Sequence, residues 1–167
     1  MSKKVLGILE YALAKEMEGM QYYESKSQYV HNKVVKEIFQ ELSLMEKDHV
    51  DYIHSLINKM KEEEYVGFSG EGIGNVFKER QEKEIVYKGD LLSLKTDIPV
   101  LRMAYLIEED FMNFYQKAAE SVEDPEIKKI LTNLFQWEKV HRDTVYNLYQ
   151  KMSKDFWQHM EVDPLYW

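Results

Sequence analysis

With 167 residues, 44 % of them hydrophobic and 31 % charged, the chain carries enough apolar material for one substantial core. Its formal net charge of −8 argues against nucleic acid as a general partner, because phosphate binding needs a basic surface. The absence of cysteine excludes disulfides, zinc–thiolate sites and iron–sulfur centres held by the chain's own thiolates.

At the start, two lysines precede a short apolar run that Glu10 ends too early for a signal peptide. No stretch approaches the length of a membrane span, so no membrane partner and a cytoplasmic location are expected. The first helical stripe is Leu6, Leu9, Leu13, Glu16, Met20, Tyr23, Ser27 and Val30, at the 3–4 spacing of a bundle helix. A turn is expected around His31 and Asn32. The second stripe follows as Val35, Phe39, Leu42, Glu46, His49, Ile53, Leu56 and Met60.

Residues 61–97 then form a long connection, with Gly67, Gly70, Gly72 and Gly74 marking a loop and residues 75–87 a short polar helix. The alternating glycines have no buried strand before them and no suitably placed acid after them, so they do not make a dinucleotide site. Asp97-Ile98-Pro99 is expected to start the third helix, with the stripe Ile98, Leu101, Tyr105, Glu108, Met112, Tyr115, Ala119 and Val122. Asp124-Pro125-Glu126 combines an N-cap, a proline at the first helical position and a first-turn acid. It starts the fourth stripe: Ile127, Leu131, Leu134, Glu138, His141, Val145, Leu148 and Met152. The expected architecture is all-α, a four-helix bundle of two antiparallel hairpins joined by a long crossover. The bundle spans residues 1–155. An aromatic tail, 156–167, contains Phe156, Trp157, Leu165, Tyr166 and Trp167, and covers either the bundle end or a subunit interface.

The two halves repeat at a constant offset of 92. Ala12, Glu16, Tyr23, Glu46 and His49 correspond to Ala104, Glu108, Tyr115, Glu138 and His141. The six acids and histidines interrupt otherwise apolar stripes near mid-helix. At ~1.5 Å per residue, Glu16 and Glu46 both lie roughly 20 Å from their turn, so all four acids can meet at one level. Four buried carboxylates need compensation, and four negative charges balance two divalent cations. Each Glu-x-x-His places a carboxylate and an imidazole on one helix face, within reach of one metal region. Oxygen and nitrogen donors without thiolate favour iron or manganese, with zinc as a substitute in vitro. Tyr23 and Tyr115 are expected either to hydrogen-bond a ligand carboxylate or to hold their hydroxyls at the bundle edge. Glu18, Asp110 and His54 are assigned to the surface, Glu109 to the surface or to a place behind the ligands, His31 to the turn and His159 to the tail.

Ala12-x-x-x-Glu16-x-x-Gly19-x-x-Tyr22-Tyr23 and Phe39-x-x-Leu42-x-x-x-Glu46-x-x-His49, with their recurrence over 104–115 and 131–141, resemble the ferritin-like di-iron carboxylate proteins, most closely the rubrerythrin family. The resemblance covers most of the chain. It implies that Glu46 and Glu138 help bridge two iron ions, with Glu16, Glu108, His49 and His141 binding from the sides. It further implies a di-iron oxidoreductase reducing hydrogen peroxide, with these six residues acting through the metal pair. Many relatives carry a four-cysteine iron centre, absent here, so electrons would come from an external electron-transfer protein. Relatives also commonly carry an acid three residues after the first Glu of the third helix, where this chain has Phe111. The alternatives are ferrous-iron oxidation or iron handling with dioxygen, and a non-enzymatic metal-binding interaction protein. A homodimer is expected, because the long connection permits one hairpin to pair with its neighbour's.

Overall fold

In the computed structural model, residues 3–61 and 91–160 are described. They form four helices and no strand: α1 (Lys3–Ser27), α2 (Lys33–Lys61), α3 (Leu91–Ser121) and α4 (Pro125–His159). Helices α1 and α2 pack as one hairpin, α3 and α4 as the other, and α1 meets α3 between them. No helix among the described residues is long and apolar enough to cross a membrane. This is the all-α four-helix bundle expected from the periodicity, with the ferritin-like arrangement that the resemblance implied. The glycine-rich loop and the polar helix expected over 75–87 lie outside the described residues, as does the tail beyond residue 160.

The helix starts follow from side-chain chemistry. Asn32 Oδ1 accepts from the amides of Val34 and Val35 at 2.8 and 3.1 Å, capping α2. Asp124 Oδ1 does the same for Glu126 and Ile127, with Pro125 opening α4 as its sequence indicates.

The expected start of the third helix is corrected. Helix α3 begins at Leu91, so Asp97 and Pro99 are inside it and the connection ends six residues sooner than Asp97 suggested. Asp97 has the chemistry of a cap, but it serves the other hairpin. Its buried carboxylate accepts the amides of His31 at 3.0 Å and Asn32 at 2.7 Å in the α1–α2 turn. Pro99 in the helix interior removes the hydrogen bond its nitrogen would give to the carbonyl four residues back, and its ring crowds that carbonyl. At the other end, α4 continues to His159, so Phe156 and Trp157 belong to its final turns and not to a separate tail.

The core is divided by a polar layer. One apolar block contains Leu9, Ile53, Tyr115, Ile127 and Leu131; the other contains Tyr23, Phe39, Leu42, Leu101 and Leu148. All four helices contribute to both blocks. Between them lie Glu16, Glu46, His49, Glu108, Glu138 and His141, each at most 1 % exposed.

Asp97→Ala should remove the acceptor for two turn amides and destabilise the protein by about 1–3 kcal/mol. Asp97→Asn, which keeps one acceptor, should lose less. Urea denaturation of the three chains at one pH checks the order.

Candidate metal centre

Each hairpin contributes three residues to the layer, and the 92-residue offset becomes an approximate two-fold relation in space. His49 Nδ1 lies 3.2 Å from Glu16 Oε2, from Glu46 Oε2 and from Glu138 Oε1. His141 Nδ1 lies 3.2 Å from Glu46 Oε1, and 3.7 Å from both Glu108 Oε2 and Glu138 Oε2. Each imidazole therefore faces its own helix's Glu, its own hairpin's other Glu and the opposite hairpin's central Glu. The two imidazoles also stack, 5.3 Å apart and 11° from parallel.

One ring nitrogen carries at most one proton, and three carboxylates surround each. His49 Nδ1 is directed to Glu16, while Glu46 Oε2 and Glu138 Oε1 have no properly directed hydrogen-bond donor. Glu138 Oε2 and Glu108 Oε2 are likewise buried without one. Such orphaned acceptors are expensive inside a protein unless something positive is shared among them. The ligand atoms of Glu46, His49, Glu138 and His141 all lie within 4.8 Å of one another, a spacing that one or more metal ions can span. Glu16 and Glu108 flank this group through their contacts with the two histidines. The donor set, carboxylate oxygen and imidazole nitrogen without sulfur, fits a hard or borderline divalent ion.

The tyrosines settle the open question about their hydroxyls. Tyr23 on α1 donates to Glu108 Oε1 on α3, and Tyr115 on α3 donates to Glu16 Oε1 on α1. Neither serves the glutamate seven residues earlier on its own helix. Each crosses to the other hairpin, fixing one oxygen of a glutamate and leaving the second facing the layer. Burial, followed by the nearby glutamate charges, pushes both phenols well above their ordinary range, so they remain donors.

Protonation divides the glutamates into two classes. Burial, then the charge of Glu46, pushes Glu108 up to about 8; burial, then the charges of Glu138 and Glu46, holds Glu16 well above the ordinary carboxylate range. Burial also works upward on Glu46 and Glu138, but the hydrogen bonds and charges of the two histidines outweigh it and leave both below that range. Burial disfavours charge on His49 and His141, yet the surrounding carboxylates outweigh it and raise both. Without metal, the upward shifts of Glu16, Glu108 and both histidines favour protons in the layer, which work against the negative charge of Glu46 and Glu138 and draw it toward neutrality. Four carboxylates with two divalent ions are neutral by another route.

The remaining acids and histidines are elsewhere. Glu18 and Asp110 are exposed, and Glu109 accepts from Tyr105 at 2.7 Å. His54 faces Asn58, His31 faces Thr96 and Asp97, and His159 lies at the end of α4. Phe111 is buried beside the layer. Trp137 was not anticipated: its ring stacks on His49 at 5.2 Å and 16°. Its counterpart at the 92-residue offset is Met45, so the repeat carries no signal for it.

The protonation pattern sets a pH window for the metal-free protein. The groups raised above their unfolded values, Glu16, Glu108, His49 and His141, contribute stability that is complete at low pH. That contribution is lost as pH rises through their folded values, about 8 for Glu108. Glu46 and Glu138 act oppositely, and their contribution is lost as pH falls below the ordinary value of 4.5. Thermal melting of chelator-treated protein should show highest stability near pH 4.5 and a decline as pH rises from there toward 8, the range over which Glu108 keeps its proton only in the folded state. Loading with divalent ions should release protons and flatten that decline.

Among known proteins, a family model described as Rubrerythrin matches residues 7–153. A solved structure of a hypothetical protein from Pyrococcus furiosus is similar in fold, with a TM-score of 0.67, 24 % identity and 90 % of each chain covered. No curated protein matches the chain.

Proposed function

Because the chain belongs to the rubrerythrin family, we propose that it is a di-iron oxidoreductase that reduces hydrogen peroxide with electrons from an external donor protein. The observation that carries this reading is the single buried layer of four glutamates and two inward-facing histidines. Glu46 and Glu138 each reach both imidazoles and are suited to bridging; Glu16 and Glu108 are suited to holding one ion each from the side. A reduced iron pair, when bound, supplies the two electrons that convert peroxide and two protons into two waters.

The chain's own residues support this in three ways. The two apolar blocks keep bulk water from both sides of the layer. Tyr23 and Tyr115 hold Glu108 and Glu16 in orientation, as outer partners of ligating carboxylates commonly do. The paired histidines present Nδ1 inward from adjacent helices, so the donors are in place before an ion arrives. The oxygen and nitrogen donors also accept manganese, and zinc as a substitute.

A second reading is ferrous-iron oxidation with dioxygen. The specific observation favouring it is Phe111, which stands where relatives commonly carry a further acid. We also propose a homodimeric assembly, for which sedimentation of the metal-loaded protein at micromolar concentration should show a dimer rather than a monomer.

Elemental analysis after iron supplementation should find two irons per site in the parent chain. Glu46→Ala and Glu138→Ala should lower that content sharply, and the exposed-site change Glu18→Ala should leave it unchanged. Stopped-flow spectra of the anaerobically reduced, iron-loaded protein should show faster oxidation by peroxide than by dioxygen. Faster reaction with dioxygen would establish the second reading in place of the first.

A further inference from the structure

Gly19 lies in the interior of α1, where glycine is unfavourable by itself. It is buried against α3, and a Cβ placed there would stand 2.9 Å from Phe111 Cε2 and 3.4 Å from Phe111 Cζ. The tip of the Phe111 ring therefore occupies the space that a side chain at position 19 would take. Glu46 Cδ lies 3.7 Å from the same point, so the ring and the Glu46 carboxylate flank one spot between α1 and α3.

Positions 19 and 111 are counterparts at the 92-residue offset. The repeat brings them face to face, and two large residues could not both fit there; the chain has made one the smallest and the other a ring. Phe111 is 2 % exposed, and Lys15 Nζ lies over its ring, 5.3 Å from the centroid. It also follows Glu108 by three residues, one turn later on the same face of α3. A carboxylate at that place would reach toward the layer; a phenyl ring offers no donor and repels water.

We propose that Phe111, seated in the Gly19 notch, is a wall that closes the α1–α3 face of the glutamate layer, sets access to it by solute size, and limits its donor shell to six residues. This rests on the di-metal reading above. Solutes the size of dioxygen or peroxide pass during small fluctuations of the helices, whereas larger ones need the ring displaced. Removing the ring leaves a cavity beside orphaned carboxylate oxygens, a polar space that water enters.

The test uses the full chain loaded anaerobically with ferrous iron and stripped with 2,2′-bipyridine, whose coloured complex reports release. Phe111→Ala should retain its iron content and helical circular dichroism but lose iron about tenfold faster than the parent, the effect of a modestly lowered barrier. Phe111→Leu, which refills part of the notch, should fall between them and carries the comparison if the alanine variant does not fold. Ile127→Ala is the control, an equally buried truncation roughly 16 Å along α4 from Glu138 at 1.5 Å per residue. It should lower the melting temperature without changing the release rate.

Unchanged release from both Phe111 variants with full iron content would overturn the wall while leaving the metal reading intact. Equal acceleration by Ile127→Ala would also overturn it, by showing that Phe111 is only a core residue. A parent chain that takes up no iron would refute the metal reading and the wall together.

Discussion

Four glutamates and two histidines buried in one cross-section of a helical bundle must reach electrical neutrality, and most of the structure answers that requirement. An isolated charge in such a place costs several kcal/mol or more. Two routes to neutrality are open with the same side chains. Protons on Glu16, Glu108 and both histidines balance the charges of Glu46 and Glu138; alternatively, divalent ions replace those protons. The first route leaves buried oxygens of Glu46, Glu108 and Glu138 without a hydrogen-bond partner. A polar layer of this kind does little for stability on its own account and is better explained by what it can bind. The apolar blocks above and below it supply the burial that holds the helices together.

Two polar links register the hairpins against each other at different heights. At mid-bundle, Tyr23 and Tyr115 exchange hydrogen bonds with the opposite hairpin's glutamate, related by the repeat. At one end, Asp97 holds the α1–α2 turn from α3 and has no partner in the repeat: its counterpart is Val5. The symmetric links position donors, whereas the asymmetric one sets the end at which the first hairpin docks. Their common feature is direction: apolar contacts tolerate a small slide of one hairpin along the other, and a hydroxyl or carboxylate with a fixed partner does not.

The two-fold relation is also broken beside the layer, at Gly19 with Phe111 and at Met45 with Trp137. At positions 19 and 111 the two counterparts meet at one volume, so a ring on one side requires a glycine on the other. These departures give the two sides of the centre different surroundings: an aromatic ring stacked on His49, and a phenyl ring near Glu46.

The repeat itself was legible in the sequence, because buried acids and histidines at helical spacing stand out against apolar stripes. Four helices, two hairpins and the common height of Glu16, Glu46, Glu108 and Glu138 follow from periodicity and rise per residue alone. The N-cap at Asp124 was equally legible, since its proline and its partners are its neighbours in the chain. Asp97 was misread for the complementary reason. Asp-x-Pro looks like a helix start when only local partners are considered, yet its carboxylate is satisfied by amides more than 60 residues away. The destinations of Tyr23 and Tyr115, the stacking of Trp137 on His49 and the seating of Phe111 in the Gly19 notch are likewise contacts between separate helices. Periodicity assigns a residue to a face, but the rotation and closeness of two packed helices decide which atoms meet across it. The sequence therefore determined which groups enter the core and at what height, and the tertiary structure alone decided which of them touch.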